Sequence, residues 1–199
     1  MKEFSVKERR ASAGFALLFA LGAIPIVLLG FAGLLVTVLL LVAAWKMIPG
    51  FWRMAGRSLL AGVISGILVL GPGLRLAMRT VAIADPNTTP EFTLGGTIAI
   101  IVLIGGILGS IYSVVAVFAR EGFSIGKTAA SGVVALALLG FIMANPDLRS
   151  EIIHLGFGGW ANVPMFGFIG FAHGWVSLSL YDRLSKTSVH GTPAIEAMA

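Results

Sequence analysis

Residues 9–57, RRASAGFALLFALGAIPIVLLGFAGLLVTVLLLVAAWKMIPGFWRMAGR, contain a run from 11 to 45 without a single charged residue, fenced by basic residues on both sides. As one straight helix the run would be about 50 Å long, against a bilayer hydrocarbon core of about 30 Å. One crossing is too long and two are short. The flanking charges decide between them. A single span would put Lys46, Arg53 and Arg57 on the side opposite the basic N-terminus, against the tendency of Lys and Arg to stay cytoplasmic, whereas two spans keep them together. The run is therefore read as spans near 11–28 and 32–46, turning around Leu29 to Gly33, where Gly30 and Gly33 permit a tight reversal. The competing reading is one long, tilted helix kinked at Pro25.

Working outward, further apolar spans near 58–80, 94–119, 128–144 and 163–181 bring the count to six. The expected fold is an all-α integral membrane protein, a six-helix bundle with both termini inside. Of the 14 Lys and Arg residues, all but Arg75, Arg79 and Arg149 then face the cytoplasm, in the clusters Lys2–Arg10, Lys46–Arg57, Arg120–Lys127 and Arg183–Lys186. Asp85, Glu91, Asp147 and Glu151 fall in two outer segments that carry the breaker-rich strings DPNTTPE and NPD. Trp45, Trp52, Trp160 and Tyr181 suit the membrane–water interfaces, while Trp175 is placed too deep to belong to that belt. Residues 1–186 form a single membrane domain, and the small, polar, Pro-containing tail 187–199 is expected to be disordered.

Composition agrees. A mean hydropathy of +0.97, with 57% hydrophobic and 12% charged residues, excludes an ordinary soluble domain. The pI near 10.1 reflects short basic flanks of apolar spans rather than a stripe with interleaved aromatics, so nucleic acid is not an expected partner. The absence of cysteine removes disulfides, thiolate metal sites and thiol nucleophiles. The basic start before a long apolar run reads as a retained span rather than a cleaved signal, and fits a bacterial plasma membrane.

The second half of the chain echoes the first. RSLLAGVISG from Arg57 aligns with KTAASGVVAL from Lys127, GPGLR at 71–75 with NPDLR at 145–149, Tyr112 with Trp175, and Arg120 with Arg183. This describes a parallel two-helix repeat, 57–120 and 127–183. Small residues four apart, at Gly62 and Gly66, Gly105 and Gly109, and Gly170 and Gly174, put backbones on faces where neighbouring helices can approach closely.

Few residues carry candidate chemistry. His173 lies near the middle of the last span, where an ionisable group is costly and marks a functional candidate. Ser110, Ser113, Thr97 and Ser177 are its expected polar neighbours, and Gly170 and Gly174 would clear space if its imidazole held a haem or chlorin. Arg75 and Arg79 follow the Gly71-Pro72-Gly73 break at the outer rim and, with Arg149, suit an anion or lipid headgroup, or else pair with the loop carboxylates. Asp147, Glu151 and His154 share one side of a short helix capped by Asn145-Pro146 and are weak metal candidates. The opposite stripe of Leu148, Ile152 and Leu155 suits a helix lying on the membrane. No Walker loop, GxSxG, HExxH or intramembrane carboxylate is present, so no enzyme is expected. The leading expectation is a scaffold or accessory subunit packed in the lipid bilayer against itself or a larger complex. A small solute or ion transporter comes next, and a haem- or chlorophyll-binding subunit using His173 third.

Overall fold

The computed structural model describes residues 8–16, 44–84, 93–156 and 162–187, together with Val6, Val42, Gly159 and Trp160. The proposed turn at Leu29–Gly33, the outer-loop carboxylates Asp85 and Glu91, and the tail 188–199 lie outside these residues. Among the described residues every regular element is helical. Four helices, Phe51–Ile83, Leu94–Phe123, Lys127–Ala144 and Val163–Lys186, are long and apolar enough to cross a bilayer, which makes this a helical membrane protein.

A short helix, α1, covers 8–16. The helix α2 begins at Gly50, whose φ of 72° makes the left-handed entry open to glycine, and runs Phe51–Ser65. It then passes through a π-helical turn, Gly66–Leu70, and continues as Gly71–Ala84. Gly71-Pro72-Gly73 is therefore not the break expected from the sequence. The Gly71 N–H bonds back five residues to the Gly66 carbonyl, and this widened turn accommodates the ring and missing donor of Pro72 without ending the helix.

The helix α3 starts at Thr93, whose hydroxyl accepts from the Gly96 N–H at 3.3 Å, and runs Leu94–Ala99. A second π turn at Ile100–Ile104 leads into Gly105–Phe123. Ser124, at φ 52°, closes it. The remaining helices are α4 (Lys127–Ala144), α5 (Pro146–His154) and α6 (Val163–Thr187). Asn145 caps α5 through Oδ1, which accepts from the N–H groups of Asp147 and Leu148 at 3.0 and 3.2 Å. The apolar stripe of α5 does not lie on the membrane as expected. Ile152 is buried and Leu148 packs beside it on the core formed with α4 and α6, while Ile153 is the residue left exposed.

Two glycine-lined crossings organise the bundle. In the α2–α3 hairpin, a Cβ placed on Gly62 would stand 2.6 Å from the Gly109 carbonyl oxygen, and one on Gly105 2.7 Å from that of Gly66. In the α4–α6 hairpin, Cβ atoms on Gly170 and Gly174 would each come within 2.9 Å of a Cα, at Ala135 and Ser131 respectively. The hairpins then pack on each other, α6 against α2 and α3 against α4, around Leu70, Ala77, Val117, Val134, Leu138 and Leu178.

A second cluster lies at one end. Phe15 and Ala16 of α1 meet Ala44, Ile48 and Phe51 of the segment entering α2, together with Phe118 of α3. The Phe15 ring centroid is 4.8 Å from that of Phe118 and 5.5 Å from that of Phe51. Ser12 donates to the Phe118 carbonyl at 3.3 Å, and Arg9 to the Ser124 hydroxyl at 3.0 Å. At the same end Arg120 bridges Glu121 and Asp182 at 3.0 and 2.9 Å. The opposite end is tied by Thr80 of α2, which donates to Asn162 Oδ1 at 2.8 Å just before α6.

Candidate functional site

The middle of α6 carries His173 into the centre of the bundle, where it is completely buried. Its Nε2 lies 3.1 Å from the carbonyl oxygen of Gly109, one of the two α3 glycines packed against the α2 backbone. A carbonyl only accepts, so Nε2 carries the proton and the neutral ring presents a lone pair at Nδ1. Nδ1 makes no well-formed hydrogen bond, although the Ser65 backbone carbonyl of α2 also faces the ring, and the buried hydroxyl of Ser113, one turn along α3 from Gly109, has no partner. Buried polar atoms are rarely left this way, so the pair marks a place with unused hydrogen-bonding capacity.

The other expected neighbours are distributed differently. Ser177 is buried but bonds the Gly174 carbonyl of its own helix at 3.0 Å. Ser110 bonds Ile107 at 2.7 Å within α3. Thr97 sits in the first turn of α3, where its hydroxyl bonds the Thr93 carbonyl at 3.0 Å, about 18 Å of helix rise from Gly109. Ser65, absent from the sequence-based set, is buried on α2 between the crossing glycines and donates to the Gly62 carbonyl at 3.3 Å. The two π turns follow Ser65 on α2 and precede Gly105 on α3, and they pack against each other.

A haem or chlorin on His173 would need the space above Gly170 and Gly174. That room is taken: both glycines are covered by the backbone and side chains of α4 at Ser131, Val134, Ala135 and Leu138. Trp175 is 41% exposed, and Lys127 Nζ lies over its ring, 4.6 Å from the centroid. The same ammonium bonds the Ser179 hydroxyl.

The three arginines sit on two helices. Arg75 is half-buried and Arg79 exposed on the Gly71–Ala84 half of α2, and both engage neighbours. Arg149 lies on α5, in an open groove of about 620 Å³ that it lines with Pro146, Ser150, Ile153 and His154. Arg149 and His154 thus share one groove on α5. Asp147 is exposed at the start of α5, and the Glu151 side chain lies outside the described set. Among the described residues no group of three or more His, Cys, Asp or Glu is placed to hold a metal ion.

A second concavity, about 270 Å³, was not anticipated as a site. It lies at the basic end and is lined by Trp45, Lys46, Ile48, Pro49, Gly50, Phe51, Trp52 and Arg53. Comparison with family models, curated proteins and solved structures finds no match for the chain.

Proposed function

We propose that this protein is a non-enzymatic, multi-pass scaffold or accessory subunit of a bacterial plasma membrane, built from helical hairpins with both termini in the cytoplasm. The observation that carries the reading is the backbone-level closure of both hairpins. Gly62, Gly66, Gly105 and Gly109 in one, and Gly170 and Gly174 in the other, bring helices together where any added carbon would collide. Such a bundle is a rigid body whose working surface is its outside, with α2, α3 and α6 offering Leu68, Leu76, Leu103, Ile107 and Phe168 to lipid or to a neighbouring subunit.

The six-span topology is part of the proposal. It is supported by the meeting of Phe15 with Ala44 and Phe51, because one straight helical crossing between residues 16 and 44 would separate its ends by about 40 Å. An even number of crossings brings them back together. The parallel repeat is supported by the use of a small-residue crossing in each hairpin, although the contact in the second is shifted from the aligned register: Ser131 and Ala135 stand where the alignment would put Gly132 and Leu136.

The transporter reading is kept for one observation, the Nδ1 of His173, without a well-formed hydrogen bond, and the unpartnered hydroxyl of Ser113 close to two facing π turns, which are frequent at functional sites. Purification in mild detergent from the native membrane, followed by mass spectrometry of bound subunits and an absorbance spectrum, separates the readings. A scaffold co-purifies with stoichiometric partners or copies of itself. A colourless, partner-free monomer rejects both the scaffold and the pigment subunit and leaves transport, tested by solute flux in vesicles with and without His173→Ala.

A further inference from the structure

The segment joining the first apolar run to α2 is held from below and open above. Ile48 and Phe51, 1% and 2% exposed, plug into the cluster with Phe15 and Phe118, which fixes the backbone of the reversal at Pro49-Gly50. Between these anchors the chain turns outward a set of side chains of a different kind. Trp45, Met47 and Trp52 are 54%, 54% and 61% exposed, and the two indoles lie 6.3 Å apart between centroids. Lys46 and Arg53 stand beside them. The exposed Arg53 guanidinium folds back beside Gly50, with Nη2 3.7 Å from where a Cβ would be.

Neither cation is paired with a carboxylate among the described residues; of the described acids at this end, Glu121 and Asp182 are engaged with Arg120, and Glu8 engages a neighbour as well. The concavity they border is about 270 Å³, of a size to take a phosphodiester headgroup. We infer that this turn is a seat for the headgroup of an anionic glycerophospholipid of the cytoplasmic leaflet. Lys46 and Arg53 hold the phosphate, and Trp45, Met47 and Trp52 are inserted among the glycerol and upper acyl groups. The charges select an anion, guanidinium and ammonium donors suit phosphate oxygens, and exposed indoles beside them favour the interfacial layer over water. A free phosphate would use the cations but gain nothing from three exposed apolar side chains. This assignment stands apart from the scaffold reading, since a transporter would carry the same seat.

The test uses the full chain purified in detergent and offered phosphatidylglycerol, phosphatidylcholine or inorganic phosphate, with adducts followed by native mass spectrometry. The expected result is selective retention of phosphatidylglycerol, weakened about tenfold in the Lys46→Gln/Arg53→Gln variant and unchanged in Arg10→Gln/Lys186→Gln, which removes the same charge from exposed positions at the same end. Equal retention of the two lipids overturns the assignment, as does an equal loss in both variants. Displacement of phosphatidylglycerol by millimolar inorganic phosphate assigns the pocket to a free anion instead. A second measurement keeps Lys46 and Arg53 in place: in a W160F/W175F background, Trp45 and Trp52 should be quenched more by brominated phosphatidylglycerol than by brominated phosphatidylcholine at equal mole fraction. Equal quenching rejects the seat.

Discussion

At the scale of single residues, the glycines divide into those that hold helices together and those that merely occupy a helix. A methyl on Gly109 would stand 2.6 Å from the Gly62 carbonyl oxygen, a backbone atom that cannot swing aside. Gly109→Ala is therefore expected to lower the unfolding free energy by about 1–3 kcal/mol. Gly140→Ala, with nothing within 4 Å of the new carbon, should be neutral or stabilising by up to about 1 kcal/mol. Denaturation in mixed micelles with increasing dodecyl sulfate distinguishes them, and equal effects would mean that the crossing is looser than described. His173 offers a second contrast. Phe at this position keeps most of the volume but loses the bond to Gly109, which should cost about 1 kcal/mol; Ala adds a void and should cost about 2–3 kcal/mol. If the two variants lose the same amount, the hydrogen bond accounts for the whole role of the ring. The depth of His173 was readable in the sequence because position along a span is a matter of counting. Its partner was not. A backbone carbonyl leaves no mark in the residue code, and which one the ring meets depends on the rotation of α3 about its axis. Thr97 fails to join His173 because a shared polar character says nothing about height in the bundle.

At the scale of elements, the two π turns are the features least visible in sequence. Each inserts extra backbone into a helix, so the face that points inward before Gly66 is no longer predicted by the 3.6-residue period after Leu70. Gly71-Pro72-Gly73 carries a signal, and in sequence it reads as a break because proline in a regular helix interior costs about 3 kcal/mol. If the widened turn has already relieved that clash, Pro72→Ala should change stability by less than about 1 kcal/mol, as measured by the same micellar denaturation. A gain near 3 kcal/mol would show that Pro72 strains α2 instead. The helix α5 teaches the complementary lesson. Its cap at Asn145 was legible because Oδ1 and the first N–H groups are near neighbours in the chain. The direction of its apolar stripe was not, since Leu148 and Ile152 satisfy the same hydrophobic pattern against lipid or against α4.

At the scale of the whole molecule, the charge pattern and the packing point the same way by independent routes. The sequence argues that 1–10 and 46–57 share a side because both are basic. The structure has Phe15 of α1 and Phe51 of α2 in one cluster with Phe118, and Arg9 bonded to the loop residue Ser124. Arg120 and its partner Asp182 bring the ends of α3 and α6 to that same level. The groove on α5 and the Thr80–Asn162 bond lie at the other end of the apolar helices. This arrangement makes a prediction that needs no knowledge of function. The natural chain has no cysteine, so single cysteines report without background. In intact cells Arg10→Cys and Pro49→Cys should both resist a membrane-impermeant maleimide and react only after permeabilisation. Ser150→Cys, exposed on α5, should react from outside at once. Labelling of Pro49→Cys but not Arg10→Cys in intact cells would require an odd number of crossings between them, and would place the lipid seat at Trp45–Arg53 in the outer leaflet. Labelling of both, with Ser150→Cys protected, would keep the packing and invert the whole bundle, which the clustering of Lys and Arg at one end opposes.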